Sequence, residues 1–218
     1  MSHDTLFDRL LSAPLVSEEV DPFSVDGELL PEEAAVVEGA VSRRVAHFTA
    51  GRVCAHRALD RLGAPPNCPV LQGEDRAPIW PEGFVGSITH TDAWCAAVVG
   101  CSIDVRSVGI DLEPSTPLKD SVLARVCTPT ELRHLATLSD PDLMAKVVFC
   151  AKESVYKCQR PITGKYLGFH DVELEFEDDR FAAVFRGPAG EFEPGDRLSG
   201  RYLVERDLVA AACVLEHS

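Results

Sequence analysis

Asp111 and Glu113 alternate with apolar residues in the run Val108-Gly109-Ile110-Asp111-Leu112-Glu113. In a strand, alternate residues share a face, so both carboxylates point the same way as Gly109, roughly 7 Å apart at about 3.3 Å per residue. Two carboxylates so spaced can share a hard divalent cation, and the missing side chain at Gly109 leaves room for a ligand beside them. A D-x-E pair is common, and a half-buried edge strand with a solvated polar face gives the same pattern. A second group lies in Phe149-Cys150-Ala151-Lys152-Glu153-Ser154-Val155-Tyr156-Lys157. On a helix, Glu153 and Lys157 share one side, and Lys152 sits on the flank near Phe149 and Tyr156. The plain alternative is a surface ion pair worth about 0.3–0.5 kcal/mol. Val147, Val148, Phe149, Val155 and Tyr156 make this segment too apolar for an exposed helix. Charges at the rim of a buried helix need partners, and a metal ion with phosphates would supply them.

Positive charge is concentrated elsewhere. The 218-residue chain has a formal charge of −14, which argues against nucleic acid as a partner. Yet residues 43–61 hold Arg43, Arg44, Arg52, Arg57 and Arg61, with His47 and His56, against Asp60 alone. One basic helix on an acidic protein suggests a localised anion site, and a solvated helix face gives the same count. Val41, Val45, Phe48, Arg52, Ala55, Leu59 and Leu62 form a core-facing stripe that Arg52 interrupts, with Arg44 on its flank. An arginine there needs a partner, either an internal ion pair or a phosphate held bidentately. Gly86-Ser87-Ile88-Thr89-His90 ends a strand-like run in hydroxyls and an imidazole, which could donate to phosphate or simply close a hairpin.

The elements that must position these groups follow from punctuation and period. Pro31-Glu32-Glu33 opens a short helix, since proline suits the first helical position and acids suit the N-terminal dipole. A long helix is predicted from about Ser42 to Leu62, stopped by Gly63 and Pro65-Pro66. Residues 84–89 and 93–99 read as a hairpin about His90-Thr91-Asp92, and Arg106 to Glu113 as a strand. Thr128-Pro129-Thr130-Glu131 supplies an N-cap, a proline at N1 and an acid at N3. Asp140-Pro141 starts a helix expected to run to about Cys158, and the tail from Asp171 alternates as strands. Helices followed by antiparallel strands occur in each half, an α+β pattern with the halves meeting near residues 101–106.

Composition narrows the setting. No apolar run approaches the roughly 20 residues of a membrane span, and Asp4, Asp8 and Arg9 do not fit a leader, so a cytoplasmic protein is expected. Eight cysteines are spread singly with no C-x-x-C pair, which suits buried thiols in a reducing compartment.

Taken together and in order, these segments resemble the larger, pseudo-dimeric class of 4'-phosphopantetheinyl transferases, the type that includes enterobactin synthase component D. The matching stretches are Pro31-Glu32-Glu33, Arg43-Arg44 to Arg52, Trp80-Pro81, residues 86–90, residues 108–113, Phe149 to Lys157, Pro161-Ile162-Thr163 and Gly200-Arg201-Tyr202. The resemblance implies an α+β fold of two pseudo-twofold-related subdomains, 1–104 contacting the 3'-phosphate and adenine of coenzyme A and 105–218 carrying the metal and catalytic residues. It implies that Asp111, Glu113 and Glu153 hold Mg2+, or Mn2+, against the pyrophosphate, with water completing the shell because Leu112 cannot ligate. Glu153 would be the base for the carrier serine, Lys152 would neutralise charge on the phosphates and Lys157 would add positive potential. Arg44, Arg52, Arg76, Ser87, Thr89, His90, Asp111, Lys152 and Lys157 would contact coenzyme A. Arg76 stands in Gly73-Glu74-Asp75-Arg76, shifted from where relatives place a basic residue, and Cys158-Gln159-Arg160 replaces their small and aromatic pair. The implied partners are apo acyl or peptidyl carrier proteins, including carrier domains of polyketide and nonribosomal peptide synthases in secondary-metabolite or siderophore synthesis. A monomer is expected, with no membrane or nucleic-acid partner. A magnesium-dependent phosphohydrolase and a binding module without turnover are the rival readings.

Overall fold

A computed structural model of the chain describes residues 5–12 and 14–217, so Asp4 lies outside the described residues. These residues divide into two compact units. One comprises the described residues up to Val108 with Glu216 and His217, and the other is Gly109–Leu215.

In the first unit, β1 (Val16–Val20), α1 (Pro31–Ala34) and α2 (Ser42–Arg61) precede a short hairpin of β2 (Leu71–Gln72) and β3 (Pro78–Ile79). Strands β4 (Phe84–His90) and β5 (Cys95–Cys101) follow. The main sheet has the order β1-β5-β4 and is antiparallel, with Val16 opposite Val99 and Gly86 opposite Val99 on the other side. Its middle strand, Cys95-Ala96-Ala97-Val98-Val99, is wholly buried, which explains a continuous apolar run in place of alternation. Helix α2 packs on this sheet through Cys54, Ala55, Ala58 and Leu59. Phe48 and Arg52 of the expected stripe are buried with them, whereas Val41 is 75% exposed because it is the N-cap and precedes the helical phase. Strand β1 was not foreseen, since Val-Ser-Glu-Glu-Val neither alternates nor forms an apolar run.

Strand β6 (Val105–Pro114) begins in the first unit and continues into the second. The second unit goes on with α3 (Asp120–Val126), α4 (Pro129–Leu135) and α5 (Pro141–Thr163). It closes with β7 (Val172–Glu177), β8 (Arg180–Phe185), β9 (Arg197–Glu205) and β10 (Leu208–Glu216), in sheet order β6-β10-β9-β8-β7. Leu174, Phe181, Leu198 and Val209 bring the sheet's inner face against Val147, Val148, Ala151 and Val155 of α5. The expected cap of α4 forms in full: Thr128 Oγ1 accepts from Glu131 N–H, and Glu131 accepts from Thr128 N–H. Helix α5 runs past Cys158 to Thr163, through Pro161, and stops at Gly164 in the left-handed region (φ 64°). A proline in the last turn removes a single ladder bond, which the packed face of a 23-residue helix outlasts.

Both units build the same brace from a P-x-E segment. In the first, the fully buried Glu33 accepts from its own cap N–H at Leu30 (3.1 Å), from Val70 N–H (2.8 Å) and from His56 of α2 (2.8 Å). In the second, Glu131 accepts from Thr128 N–H (2.7 Å), from Leu174 N–H (2.8 Å) and from Lys152 of α5 (2.7 Å). Each carboxylate thus ties a short helix to a long helix and to the strand region that follows it. Among the described residues no helix is long and apolar enough to cross a membrane, and all eight cysteines are free, six of them buried.

Candidate active site

The first unit holds a cavity of about 450 Å³. Arg43, Arg44, His47, Phe48, Gly51 and Arg52 line it from one face of α2, as steps of three and four residues require. Ile88 and His90 line it from β4, and Gln72, Arg76 and Pro78 from the small hairpin. Four arginines and two histidines share this wall and no carboxylate does, on a chain of charge −14. Arg52 is fixed by donating through Nε to Val70 O (2.7 Å) and by lying over the Phe48 ring (4.2 Å). Burial pulls its pKa down, opposed by nearby Glu33. Arg43 pairs with Asp92 at the surface. Arg76 reaches the wall from the Gly73–Ala77 turn with a left-handed backbone (φ 68°), a conformation unfavourable for any residue with a Cβ.

In the second unit, the polar face of β6 is turned against α5. A Cβ at Gly109 would lie 2.0 Å from Ser154 O and 2.4 Å from Cys158 N, so glycine admits the helix backbone rather than a ligand. That close approach sets Asp111 and Glu113 beside the lysines of α5. Lys157 Nζ donates to Asp111 Oδ1 (2.7 Å) and Ile110 O (3.0 Å), and Lys146 Nζ reaches Glu113 Oε2 (3.3 Å). Burial and then Asp111 raise the pKa of Glu113, against the pull of Lys146. Burial and Asp111 raise that of Glu153 in the same way. Burial works to lower the Lys157 pKa, and Asp111 overrides it so that the ammonium is held above its usual range. With burial, Asp111 raises both Glu113 and Glu153, and the three carboxylates are hard oxygen donors of the kind Mg2+ or Mn2+ prefers. Among the described residues, no group of three or more acidic, histidine or cysteine side chains is already gathered to hold a metal ion. Glu153 also lines a small cleft of about 130 Å³ with Tyr156, Tyr166, Leu167 and Phe169.

The expected residues separate into groups. Arg44, Arg52, Arg76 and His90 meet at the cavity of the first unit, and Asp111, Glu113, Glu153 and Lys157 fall on the β6–α5 face of the second. Ser87 and Thr89 do not join His90. They lie on the opposite face of β4 from Ile88 and His90, each 4% exposed, because strand residues alternate. Lys152 is 2% exposed and directs its three donors to Val126 O (2.9 Å), Glu131 (2.7 Å) and Phe169 O (2.7 Å). Gln159, fully buried, braces the helix end through Lys165 O and Thr163. Sequence reasoning missed Lys146 on Glu113, Gln72 in the cavity and the aromatic cleft at Glu153. It also missed the two braces, for which the repeated P-x-E segment was the available signal.

A cationic, carboxylate-free cavity and a separate hard-oxygen carboxylate face are the equipment of a protein that handles phosphorylated ligands and stabilises charge during group transfer. Residues 32–100 match the 4'-phosphopantetheinyl transferase N-terminal domain, and residues 107–213 match the 4'-phosphopantetheinyl transferase superfamily. The chain is 40% identical to 4'-phosphopantetheinyl transferase PptT of Mycobacterium tuberculosis, over 97% of this chain and 94% of that one. It is 43% identical to 4'-phosphopantetheinyl transferase Svp of Streptomyces mobaraensis, over 88% of this chain and 79% of that one. Among solved structures it is similar to holo-[acyl-carrier-protein] synthase of Thermotoga maritima, with TM-score 0.41 and 21% identity over 51% of this chain and 63% of that one. The chain belongs to the 4'-phosphopantetheinyl transferases of the larger type. It is an enzyme that transfers 4'-phosphopantetheine from coenzyme A to carrier proteins.

Proposed function

We propose that the arginine cavity holds the adenosine 3',5'-diphosphate end of coenzyme A, and that the β6–α5 face of the second unit carries the chemistry. The observation that supports this best is the wall of four arginines and two histidines without a carboxylate on an otherwise acidic protein. Arg44, Arg52, Arg76 and His90 bind the phosphorylated nucleoside by charge-assisted hydrogen bonds. Asp111, Glu113 and Glu153 would hold Mg2+, with Mn2+ as the alternative of matching oxygen preference. Bound there, such a cation would neutralise pyrophosphate charge and supply Lewis acidity.

Glu153 takes the proton of the carrier serine. The serine oxygen bonds to the β-phosphorus, the anhydride bond breaks and 3',5'-ADP leaves with the electron pair. Lys157 supplies positive charge beside these groups. Lys152 acts at one remove, by tying α5 to α4 through Glu131. The natural acceptors are carrier domains of polyketide and nonribosomal peptide synthases, and the enzyme works as a cytoplasmic monomer.

Calorimetry with coenzyme A tests the cavity. Arg44→Ala is expected to weaken binding about tenfold, the loss of one charge-assisted hydrogen bond. Unchanged binding in both Arg44→Ala and Arg76→Ala would remove the coenzyme from this cavity.

A further inference from the structure

His47 lines the arginine cavity, and its ring carries a buried polar atom that the described residues do not satisfy. The residue is 9% exposed, and its Nε2 is buried with no hydrogen-bond partner among the described residues. Its ring is fixed on two sides. It stacks on His90, with centroids 4.9 Å apart and 29° between planes, and meets Phe23 edge-on at 5.6 Å. An imidazole clamped between two rings has little freedom to seek a distant partner, so the partner has to be brought to it. A buried nitrogen left without one is rare in a folded protein and calls for an explanation such as a ligand.

The surroundings say which ligand. Arg43, Arg44 and Arg52 share the helix face with His47, and Arg76 and His90 complete the wall. No acid lines the cavity to accept a hydrogen bond from the ring. Burial and then Arg43 hold the imidazole below its ordinary pKa, which favours the neutral ring, in which one nitrogen carries a hydrogen. Phosphate oxygen suits the guanidinium cluster and a neutral N–H together.

We infer that His47, as its Nε2–H tautomer, is a further contact to the 3'-phosphate of the coenzyme and a determinant of selectivity for the 3'-phosphorylated form. The inference rests on the assignment of the cavity to the adenosine 3',5'-diphosphate end. Position 47 stands one helical turn from both Arg43 and Arg44, so a phosphate gripped by those arginines falls within its reach.

The test is calorimetric titration of the parent, His47→Phe and His47→Gln with coenzyme A and with dephospho-coenzyme A. Phenylalanine keeps the stack between Phe23 and His90 and removes both nitrogens, while glutamine restores a donor. His47→Phe is expected to bind coenzyme A about tenfold more weakly and dephospho-coenzyme A within twofold of the parent. His47→Gln should recover most of the loss. Equal weakening toward both coenzymes, or none toward either, overturns the role of His47. If the parent itself fails to distinguish the two coenzymes, the cavity is not the phosphate site, and both readings fall together.

Discussion

At the scale of single residues, the chain separates groups that bind from groups that brace, and charge alone does not tell them apart. Glu33 and Glu153 are both buried or half-buried acids on helices, yet their environments drive them in opposite directions. Burial works to raise the Glu33 pKa, but hydrogen bonds from His56, Val70 N–H and Leu30 N–H prevail and hold it below the ordinary carboxylate range. Glu153 has Asp111 nearby, and burial with that like charge raises it. The linkage sign for Glu33 follows from its depressed folded pKa: its stabilisation is complete above the unfolded value and disappears as pH falls through the folded one. Glu33→Gln is therefore expected to lose about 1–3 kcal/mol near neutral pH, the worth of hydrogen bonds to a charged group. The gap from the parent should narrow below the ordinary carboxylate pKa, as denaturant melts at several pH values will read. A gap independent of pH would assign Glu33 a packing role only. Asp111 with Glu113 and Arg44 with Arg52 stood out in the sequence because strand and helix periods place them on shared faces. His47 and Arg76 are harder to read from sequence, since ring stacking and a left-handed turn decide where their side chains go.

Between the elements, α5 does two jobs on two faces. Glu153 and Lys157 face the carboxylates of β6, while Lys152, one position away, turns inward to Glu131 and two carbonyls. The long helix and the strand were both legible, from the N-caps at Asp140 and Thr128 and from the alternation of residues 108–113. The depth of Lys152 was not, because sequence spacing fixes a helical flank but not what packs against it. Its isolated type suggested phosphate, whereas its neighbours in space are protein oxygens. Burial lowers the Lys152 pKa against the pull of Glu131, and removing one partner from a buried pair strands the other charge. Lys152→Met is expected to destabilise the protein by about 3–5 kcal/mol, and adding Glu131→Gln should return part of that loss. A double-mutant cycle by denaturant unfolding measures this, and a fully stable Lys152→Met protein with lost activity would return Lys152 to the chemistry. Gly109 teaches the same lesson. Its missing side chain reads as space for a ligand, but the space is taken by the backbone of α5 at Ser154 and Cys158.

For the molecule as a whole, net charge and local charge oppose one another. A total of −14 repels an anionic coenzyme at long range, while the arginine wall attracts it at short range. Exposed arginines such as Arg43, Arg44 and Arg76 contribute through solvent and are screened, unlike the buried Arg52. The apparent affinity for coenzyme A is thus expected to fall severalfold between roughly 0.05 M and 0.5 M salt, over which the screening length shrinks to a few Å. Salt-independent binding would mean that buried contacts alone hold the ligand. The α+β class and the helix-then-strand order of each half were readable from composition and punctuation. The edge strand β1 and the last turn of α5 were not, since one lacks a period and the other crosses a proline.

The most direct test of the account is intact-mass analysis of an apo carrier domain incubated with coenzyme A, Mg2+ and either the parent enzyme or Glu153→Gln. The account predicts that the parent adds one phosphopantetheine and that chelator abolishes the gain. It predicts that Glu153→Gln reacts about 10²–10⁴-fold more slowly, the range for loss of a general base. Modification at the parental rate by Glu153→Gln, or undiminished modification in chelator, would contradict it.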